Sequence, residues 1–566
     1  MSGSYQRLGL NFPQQQVPEK GSAQASPKAL ADWLGNLPLA NGLSAARTLL
    51  QATQQLNTAR SEGMLRLASL ELLRPSVAQM VAQIDRQVIG SAFPLPLAKQ
   101  QLGVQAGDFH AALALGYRIA AHEICQPEGK VGFLKGKAVA TALVRSASHY
   151  NEQLLRGYLL YTVPQAGVWQ CLHDLYRFGL DAGLLDKSVD DPLLGKVGRS
   201  LQQVYAHAVL MALCNPFRLP QKEMLDAFAA TRIWAADCRV LERADASAIG
   251  LAMDQDRGPG YVPEDREYNE LPGHSFDVSE LLRTIDRDLN LSAGLSNVIT
   301  LRLKGGAGVN LTPEFVQHLL AVWRPTADRN FSRLPAGHYL DTLVGLHAIH
   351  YHLAGLTEFE QFVRDLRGPG IVMTERDKTA SWVGTLGESA RPVALRSKVL
   401  DQGLGGYRLE WGQESGAKAR IGELVGLAAV GDERDNEREW MIGVIRWLRF
   451  CGDGRVQAGV ELLARAAIAA AVRAADNGGH FRAPVRAIEC QSLNNRPDEP
   501  PCILTPSLVE RGLACIEVSR PPDPWGDYSG PLVRVLNDLE ILENTGAHLR
   551  LRPRVQAAPE DESVAA

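Results

Sequence analysis

The sequence predicts a multidomain α+β protein in which a helical N-terminal half precedes a β-rich C-terminal half. Length is the first observation, because 566 residues are enough for about three to five domains. The second is a helical spacing of apolar residues from about Pro27 to Ile233, and the third is a series of short alternating segments after Pro325. Apolar residues make up 45% of the chain and charged residues 22%, which is ordinary globular composition.

The N-terminal half divides into three parts. Residues 1–27 are polar, lack a basic start followed by an apolar core, and are expected to form a disordered tail rather than a signal peptide. Residues 28–233 are rich in Ala, Leu and Gln, with glycine or proline between periodic segments, and predict a domain of paired helices. Residues 234–323 mix turn-rich and helical segments, such as the helix "TPEFVQHLLAVW" stopped by Pro325, and predict a mixed α/β linking region.

The C-terminal half is rich in predicted strands. Residues 324–470 contain the alternating segment "YRLEW" and the segments "EWMIGVIRWLRF" and "VQAGVELLA", which the hairpin-like turn "CGDGR" separates. The pattern "TEFEQFVRDLRG" predicts a helix inserted among these strands, within about 353–390. Residues 484–555 predict a small C-terminal β module, and residues 556–566 are expected to be a disordered tail.

Charge, hydropathy and cysteine content exclude several classes of protein. A formal net charge of −4 gives no sign of general binding to a nucleic acid polymer or an anionic membrane, so an anion site must be a local cluster of basic residues. No run of 18 apolar residues occurs, which argues against membrane insertion. The eight cysteines are scattered without a C-x-x-C pair, so neither a disulfide framework nor a zinc site is expected. These features favour a cytoplasmic location.

Two loop-like motifs fail on spacing. The segment "GFLKGKA", which begins at Gly132, resembles a phosphate-binding loop, but Ala138 stands where G-x-x-x-x-G-K-[ST] requires a hydroxyl residue. The segment "DQDRGPGYVPED" places Asp254 and Asp256 at the spacing of calcium ligands, but Pro259 stands where the calcium loop requires glycine. An acidic surface loop is the favoured interpretation of the second segment.

Three histidines, His347, His350 and His352, lie in "GLHAIHYHL". Three imidazoles could bind zinc. On a strand, however, His347 faces away from the other two, and no acidic or cysteine ligand lies nearby in sequence, so structural histidines are favoured and no metal is expected. No G-x-S-x-G elbow or convincing pair of carboxylates supports an enzyme either.

Arg329 and Arg333 form the pattern R-x-x-x-R in "RNFSR". On a helix such residues share one solvated face, but Pro325 and Pro335 leave space for barely two helical turns, and two like charges repel unless an anion lies between them. Guanidinium groups bind phosphate oxygens through two parallel N–H bonds, stack on bases, and bond guanine O6 and N7. The pair is therefore a candidate anion clamp.

The turn "DQGLGG" between two predicted strands is a candidate second element of the same site. Gly403 and Gly406 permit positive φ and the close approach of a ligand, and Asp401 could accept hydrogen bonds from guanine N1–H and N2–H₂. A tight hairpin without a ligand is the alternative interpretation. Arg391 and Arg396 precede this turn, either as additional phosphate contacts or, as is favoured, as part of a solvated loop.

Together these elements resemble a PilZ domain. The resemblance rests on R-x-x-x-R, on a later turn of the form [DN]-x-S-x-x-G, and on the strands "YRLEW", "ARIGELVGL", "WMIGVIRWLRF" and "AGVELL", and it covers roughly residues 324–470. It implies an antiparallel β-barrel with a helical insertion that binds the bacterial second messenger cyclic di-GMP. By resemblance Arg329 and Arg333 would hold phosphates or contact guanine, and Asp401 with the glycines of its turn would contact the guanine edge.

The sequence departs from the family pattern at two points. Gly403 stands where the family has serine, and 68 residues separate Arg333 from Asp401, a gap that the helical insertion can explain. The resemblance implies a cytoplasmic cyclic di-GMP receptor, not an enzyme, that regulates an unknown protein partner through the helical region, with outputs in motility, pili or biofilm. The alternative is a degenerate PilZ-like scaffold or adaptor that acts through protein contacts without nucleotide.

Overall fold

The chain forms two compact units. One unit comprises Met1–Ser91 and Leu95–Asp328, and the other comprises Ala92–Pro94 and Arg329–Ala566. The computed structural model describes residues 3–19, 22–37, 42–195, 198–242, 249–261, 273–292, 298–302, 308–324, 333–367, 391–431, 438–451, 453–475, 480–491, 501–506, 515–522 and 532–554.

The first unit is helical over most of its length, as predicted. Its first helices in the described residues are α1 (Gly3–Leu8), α2 (Pro27–Gly35), α3 (Gly42–Thr58), α4 (Gly63–Val88), α5 (Leu97–Ile124), α6 (Gly136–Leu159), α7 (Val168–Asp181), α8 (Leu201–Leu213) and α9 (Gln221–Trp234). Helix α5 packs between α4 and α6, and its buried face alternates small and large residues such as Ala106, Phe109 and Leu113. No helix in these described segments is both long enough and apolar enough to cross a membrane.

Residues 3–19 are ordered, whereas the polar composition of residues 1–27 predicts a disordered tail. The side chains of Tyr5 and Leu8 on α1 are buried. The Tyr5 ring also stacks on the ring of His122, with 4.4 Å between the ring centroids. The polar composition of the segment concealed these two apolar anchors, which bury enough surface to hold α1 against α5 and α7.

The rest of the first unit mixes strands and helices. These elements are β1 (Arg239–Leu241), β2 (Ile249–Leu251), β3 (Gly260–Tyr261), β4 (His274–Asp277), α10 (Ser279–Ser292), β5 (Ile299–Arg302), β6 (Gly308–Leu311) and α11 (Pro313–Trp323). Strands β1 to β4 form one antiparallel sheet, and β5 pairs with β6. The Thr312 hydroxyl caps α11 by accepting the N–H of Phe315, and the helix ends at Trp323, close to Pro325 as predicted.

The second unit contains an antiparallel β-barrel, which confirms the predicted fold class. Its first elements are β7 (Leu334–Pro335), β8 (Tyr339–Val344), α12 (Leu346–Leu353), α13 (Phe359–Arg367), β9 (Leu395–Gly403), β10 (Gly406–Trp411), β11 (Leu424–Ala429), β12 (Met441–Phe450) and β13 (Val456–Ala464). The order of neighbouring strands is β10-β13-β12-β11-β8-β9-β7, and β9 also pairs with β10. Six strands, β8 to β13, therefore close into a barrel within the described residues, and β7 pairs with the end of β9, beyond the residues that pair with β8.

Alternating side chains fill the barrel. Leu409 and Trp411 on β10 are fully buried, whereas Arg408 and Glu410 are only partly buried on the other face, as the pattern "YRLEW" predicted. The predicted hairpin is also present, because β12 and β13 pair around the turn Cys451–Arg455.

The insertion between β8 and β9 begins with two helices. The predicted helix in "TEFEQFVRDLRG" is α13, but the histidine segment, which the sequence analysis treated as a strand, is the helix α12. This interpretation was wrong because Leu346, Ile349 and Leu353 form a helical stripe with spacings of three and four residues, which packs into the core. The remainder of the expected insertion, 368–390, lies outside the described residues.

A seven-stranded antiparallel sheet forms the C-terminal module. Its strands are β14 (Ala467–Ala474), β15 (Val485–Cys490), β16 (Cys502–Thr505), β17 (Cys515–Arg520), β18 (Leu532–Asn537), β19 (Leu539–Asn544) and β20 (Leu549–Pro553), in the order β18-β17-β14-β15-β16-β20-β19. Leu343, Leu424 and Val444 of the barrel share one hydrophobic cluster with Ile488 and Leu504 of this sheet. The barrel and the C-terminal sheet are therefore packed together. The expected tail 556–566 lies outside the described residues.

Candidate functional site

Strand pairing brings the two halves of the predicted clamp together. Pro335 on β7 lies opposite Asp401 on β9, and the N–H of Ala336 donates to the carbonyl of Leu400 at 3.0 Å. Arg333 immediately precedes β7, so the strand delivers it to the end of β9. The other predicted arginine, Arg329, lies outside the described residues.

Arg333 and Asp401 form an ion pair. The Arg333 Nη1 donates to Asp401 Oδ1 over 2.6 Å, and the side chains are 42% and 20% exposed, respectively. Because solvent still reaches both groups, the pair contributes at most about 1 kcal/mol to the free energy of folding. The contact is therefore reached by solvent, and its loss would take little from the stability of the fold.

A β-bulge directs Asp401 toward Arg333. In β9 Ser397 and Val399 are buried, so strict alternation along the strand would also turn Asp401 inward. The register between β9 and β10 shifts at this point, and Leu400 has no partner on β10. Because Leu400 is the extra residue of the bulge, the side chain of Asp401 lies on the partly exposed face of the strand. Bulges commonly redirect side chains in this way beside binding sites.

Arg408 on β10 is a third charged member of the site. It lies directly opposite Asp401, with 3.7 Å between its Nη1 and Asp401 Oδ2, and its Nη2 donates to Gln457 Oε1 at 2.8 Å. Sequence reasoning placed Arg408 only on the outer face of its strand. The two-residue turn was a signal that could have found it, because pairing Gly403 with Gly406 puts Arg408 opposite Asp401.

The indole of Trp447 forms one wall beside Arg408. The Arg408 guanidinium carbon lies 5.9 Å from the centroid of the Trp447 ring. A Cβ on Gly459 would lie 1.8 Å from Trp447 Nε1, so this position on β13 needs glycine to make room for the ring. Neither Trp447 nor Gly459 was singled out from the sequence.

The glycines of "DQGLGG" form a tight hairpin. Gly403 ends β9, Gly406 begins β10, and the loop between them is two residues long. Gly406 has a φ of 151°, and a Cβ there would lie 2.0 Å from the carbonyl oxygen of Val460. Gly406 is therefore required for the close approach of β10 to β13. Gly403 places no side chain beside Asp401, where the PilZ pattern has a serine hydroxyl.

Arg396 is held by a buried carboxylate rather than free in a loop. Its Nε lies 3.4 Å from Asp341 Oδ1, and Asp341 also accepts hydrogen bonds from Arg438 and from the N–H of Gly431. Burial raises the pKa of Asp341, but these hydrogen bonds and the charges of both arginines outweigh it and hold the pKa below its usual value. Arg391 is exposed at the start of the segment before β9.

The other sequence motifs have structural roles. Asp256, from the calcium-like loop, accepts hydrogen bonds from the N–H groups of Gly167 and Gln170 and so caps α7. His350 Nε2 lies 3.1 Å from the Ala470 carbonyl, and His352 Nε2 lies 3.2 Å from the Pro392 carbonyl. Each Nε2 donates a proton to a carbonyl and is not available to a metal. Among the described residues, no group of three His, Cys, Asp or Glu side chains could hold a metal ion.

Comparison with protein families agrees with this architecture. The model of the N-terminal domain of the cyclic-di-GMP receptor FimW matches residues 28–245, and the model of its middle PilZ domain matches residues 249–394 and 385–468. This chain belongs to the FimW family. The two parts of the PilZ match overlap at residues 385–394, in the segment that leads from α13 into β9.

One curated relative extends the FimW match beyond these domains. The cyclic-di-GMP receptor FimW of Pseudomonas aeruginosa is 25% identical to this chain over 513 residues, and the alignment covers 82% of each protein. The predicted PilZ resemblance is therefore confirmed at the level of the family.

Proposed function

We propose that this protein is a receptor for cyclic di-GMP and that the ligand binds where β7, β9 and β10 meet. The observation that supports this proposal most directly is the contact between Arg333 and Asp401, because it brings a cation suited to phosphate beside an anion suited to the guanine edge. The FimW relative carries the name of a cyclic-di-GMP receptor and aligns with most of this chain. The protein would act by binding, not by catalysis.

Ligand binding would exchange the partners of this ion pair. A phosphate of cyclic di-GMP accepts charge-assisted hydrogen bonds from Arg333, and Asp401 then accepts the N1–H and N2–H₂ groups of a guanine. Each broken contact is replaced by another of the same kind. Because the original pair is partly exposed and weak, its loss takes little from the binding free energy. Arg329 would supply the second guanidinium of R-x-x-x-R.

Arg408 would position Asp401 during the exchange. Its guanidinium stays 3.7 Å from the second carboxylate oxygen of Asp401, anchored by Gln457 on β13. When Arg333 turns to phosphate, Asp401 therefore keeps one neighbouring positive charge. Its two carboxylate oxygens would then accept the two guanine N–H groups.

Calorimetry with cyclic di-GMP tests the proposal. Wild-type protein and Arg364→Ala, which removes an exposed arginine of α13, should bind with the same affinity. Arg333→Ala should bind about tenfold to a hundredfold more weakly, the loss expected for one or two charge-assisted hydrogen bonds. No heat from folded wild-type protein would overturn the receptor and leave the ligand-free adaptor. Equal binding by Arg333→Ala would overturn the site alone.

The proposal includes a protein partner regulated through the helical unit. Arg333 follows the last residue of α11, Trp323, by ten residues, so a ligand that fixes Arg333 constrains the chain leading out of that unit. Hydrogen exchange with and without cyclic di-GMP tests this link. Slower exchange in peptides from α11 of the wild type, but not of Arg333→Ala, is the expected result. A cytoplasmic location and outputs in motility, pili or biofilm belong to the same proposal.

A further inference from the structure

The turn before α6 exposes two adjacent apolar side chains. Phe133 is 100% exposed and Leu134 is 92% exposed, more than any other large apolar side chain among the described residues. The turn belongs to the segment "GFLKGKA", whose resemblance to a phosphate loop fails on spacing. Single exposed apolar residues are common on protein surfaces, but a protruding pair without intramolecular cover indicates a binding surface.

Basic groups surround this tip. Two lysines of this segment, Lys135 and Lys137, are exposed, and so is Lys130 just before it. A fourth, Lys187, comes from a later segment, and its Nζ lies 3.2 Å from where a Cβ on Gly136 would be. One carboxylate, Glu128, pairs with Lys130 at 2.8 Å. The N-cap residue of α6, Lys135, makes no capping bond through its side chain, so the first N–H groups of the helix add partial positive charge.

The composition and shape of the tip fit an anionic lipid surface. Phenylalanine and leucine at the end of a turn can enter the boundary between headgroups and acyl chains, while lysines at the same level contact lipid phosphates. The chain as a whole carries a charge of −4, so attraction to a negative surface needs a local excess of basic residues, which this cluster supplies. The absence of an apolar run of 18 residues argues against a helix that crosses the membrane, but it does not bear on two apolar residues at the end of a turn.

We propose that residues 130–137 dock peripherally on an anionic lipid bilayer, with Phe133 and Leu134 in the interface and the lysines on lipid phosphates. This binding goes beyond the proposed recognition of cyclic di-GMP and uses no residue of the Arg333–Asp401 site. It requires no helix that crosses the bilayer.

Co-sedimentation of the full-length protein with vesicles tests the proposal. One set of vesicles contains phosphatidylcholine alone, and the other contains phosphatidylcholine with phosphatidylglycerol. Two variants change the tip: Phe133→Ser with Leu134→Ser, and Lys137→Glu with Lys187→Glu. The matched control is Leu97→Ser, which removes another exposed apolar side chain at the start of α5.

Wild-type protein and Leu97→Ser should sediment with phosphatidylglycerol vesicles and be released by high salt. Both tip variants should lose about tenfold or more in vesicle affinity, since each removes two of the groups that contact lipid. Wild-type protein that stays in the supernatant, that sediments equally with phosphatidylcholine alone, or that matches the serine variant would overturn the proposal. Calorimetry with cyclic di-GMP should give the same affinity for the serine variant as for wild type, so the two proposals fail separately.

Discussion

Arg333 and Asp401 are 68 residues apart in the chain and are joined by an ion pair of 2.6 Å. The pairing of β7 with β9 explains this closeness, because the chain leaves the barrel after β8 and returns in β9. The long separation is therefore compatible with a single site. The distance between Arg333 and Asp401 depends on the pairing of β7 with β9 and not on their spacing in the sequence.

Replacing Asp401 tests the guanine-reading role proposed for this carboxylate. Asp401→Ala removes both acceptors and should weaken cyclic di-GMP binding by about tenfold to a hundredfold, whereas Asp401→Asn keeps one acceptor and should lose less. Asp453→Ala, in the exposed turn between β12 and β13, is the control. Calorimetry gives the three affinities, and an unchanged affinity for Asp401→Ala would remove this residue from the site.

Gly403→Ser restores the hydroxyl that the PilZ pattern has at this position. Gly403 is not among the described residues with positive φ, so a serine side chain is compatible with its backbone. One added hydrogen bond should tighten binding of cyclic di-GMP by about threefold to tenfold. The same substitution in the Arg333→Ala background is the control. A weaker affinity for Gly403→Ser would show that the family serine is not the missing contact.

Gly406→Ala should destabilise the barrel. A Cβ at Gly406 would lie 2.0 Å from the carbonyl oxygen of Val460, and the φ of 151° is unfavourable for alanine, so β10 must move away from β13. We expect a loss of about 2–3 kcal/mol in the free energy of unfolding, measured by urea denaturation. Gly405→Ala is the matched control, because no atom lies within 4 Å of its added Cβ. Equal stability of the two variants would contradict the close approach.

Arg408→Lys separates positioning from charge. Lysine keeps the positive charge near Asp401 but loses the planar fork that also bonds Gln457 and lies over Trp447. Affinity for cyclic di-GMP should fall about threefold to tenfold in Arg408→Lys and further in Arg408→Ala. Calorimetry gives the affinities of both variants, and wild-type affinity in Arg408→Ala would exclude the positioning role.

Short sequence patterns predicted the strands and turns that depend only on neighbouring residues. The alternation of "YRLEW" and the hairpin around "CGDGR" were found because side-chain period and turn chemistry are visible in a short window. The bulge at Leu400 was not, because it depends on how β9 pairs with strands on both sides. The helix α12 was mistaken for a strand because its apolar run is short and its core partners come from distant segments.

The site follows the same division. The PilZ pattern identified Arg333, Asp401 and Gly406 as candidates, since their residue types carry the chemistry. Arg408 lies at the site because the register of β9 and β10 places it opposite Asp401, and Trp447 lies there because it contacts Arg408. A motif with fixed spacing within one segment does not show which residues of other strands lie opposite it.

His350 should make the stability of the second unit depend on pH. It packs edge-on against the rings of Phe359 and Phe362, and burial, with the charge of Arg486, lowers its pKa to about 3 despite its hydrogen bond to the Ala470 carbonyl. An unfolded histidine has a pKa near 6.5. Between these two values the unfolded state binds one more proton than the folded state, so stability is complete above about pH 6.5 and falls as the pH is lowered toward 3.

The contribution of His350 can be isolated by comparing variants at two pH values. Lowering the pH from 7 to 5 should cost wild-type protein about 2 kcal/mol through this residue, an effect that His350→Leu lacks because leucine does not titrate. The exposed His338→Gln is the control and should keep the full wild-type pH dependence. Hydrogen exchange measures the free energy of opening for the backbone amides of β14, a strand that packs against α13. If His350→Leu loses as much stability as wild type over this range, His350 is not held neutral by its burial.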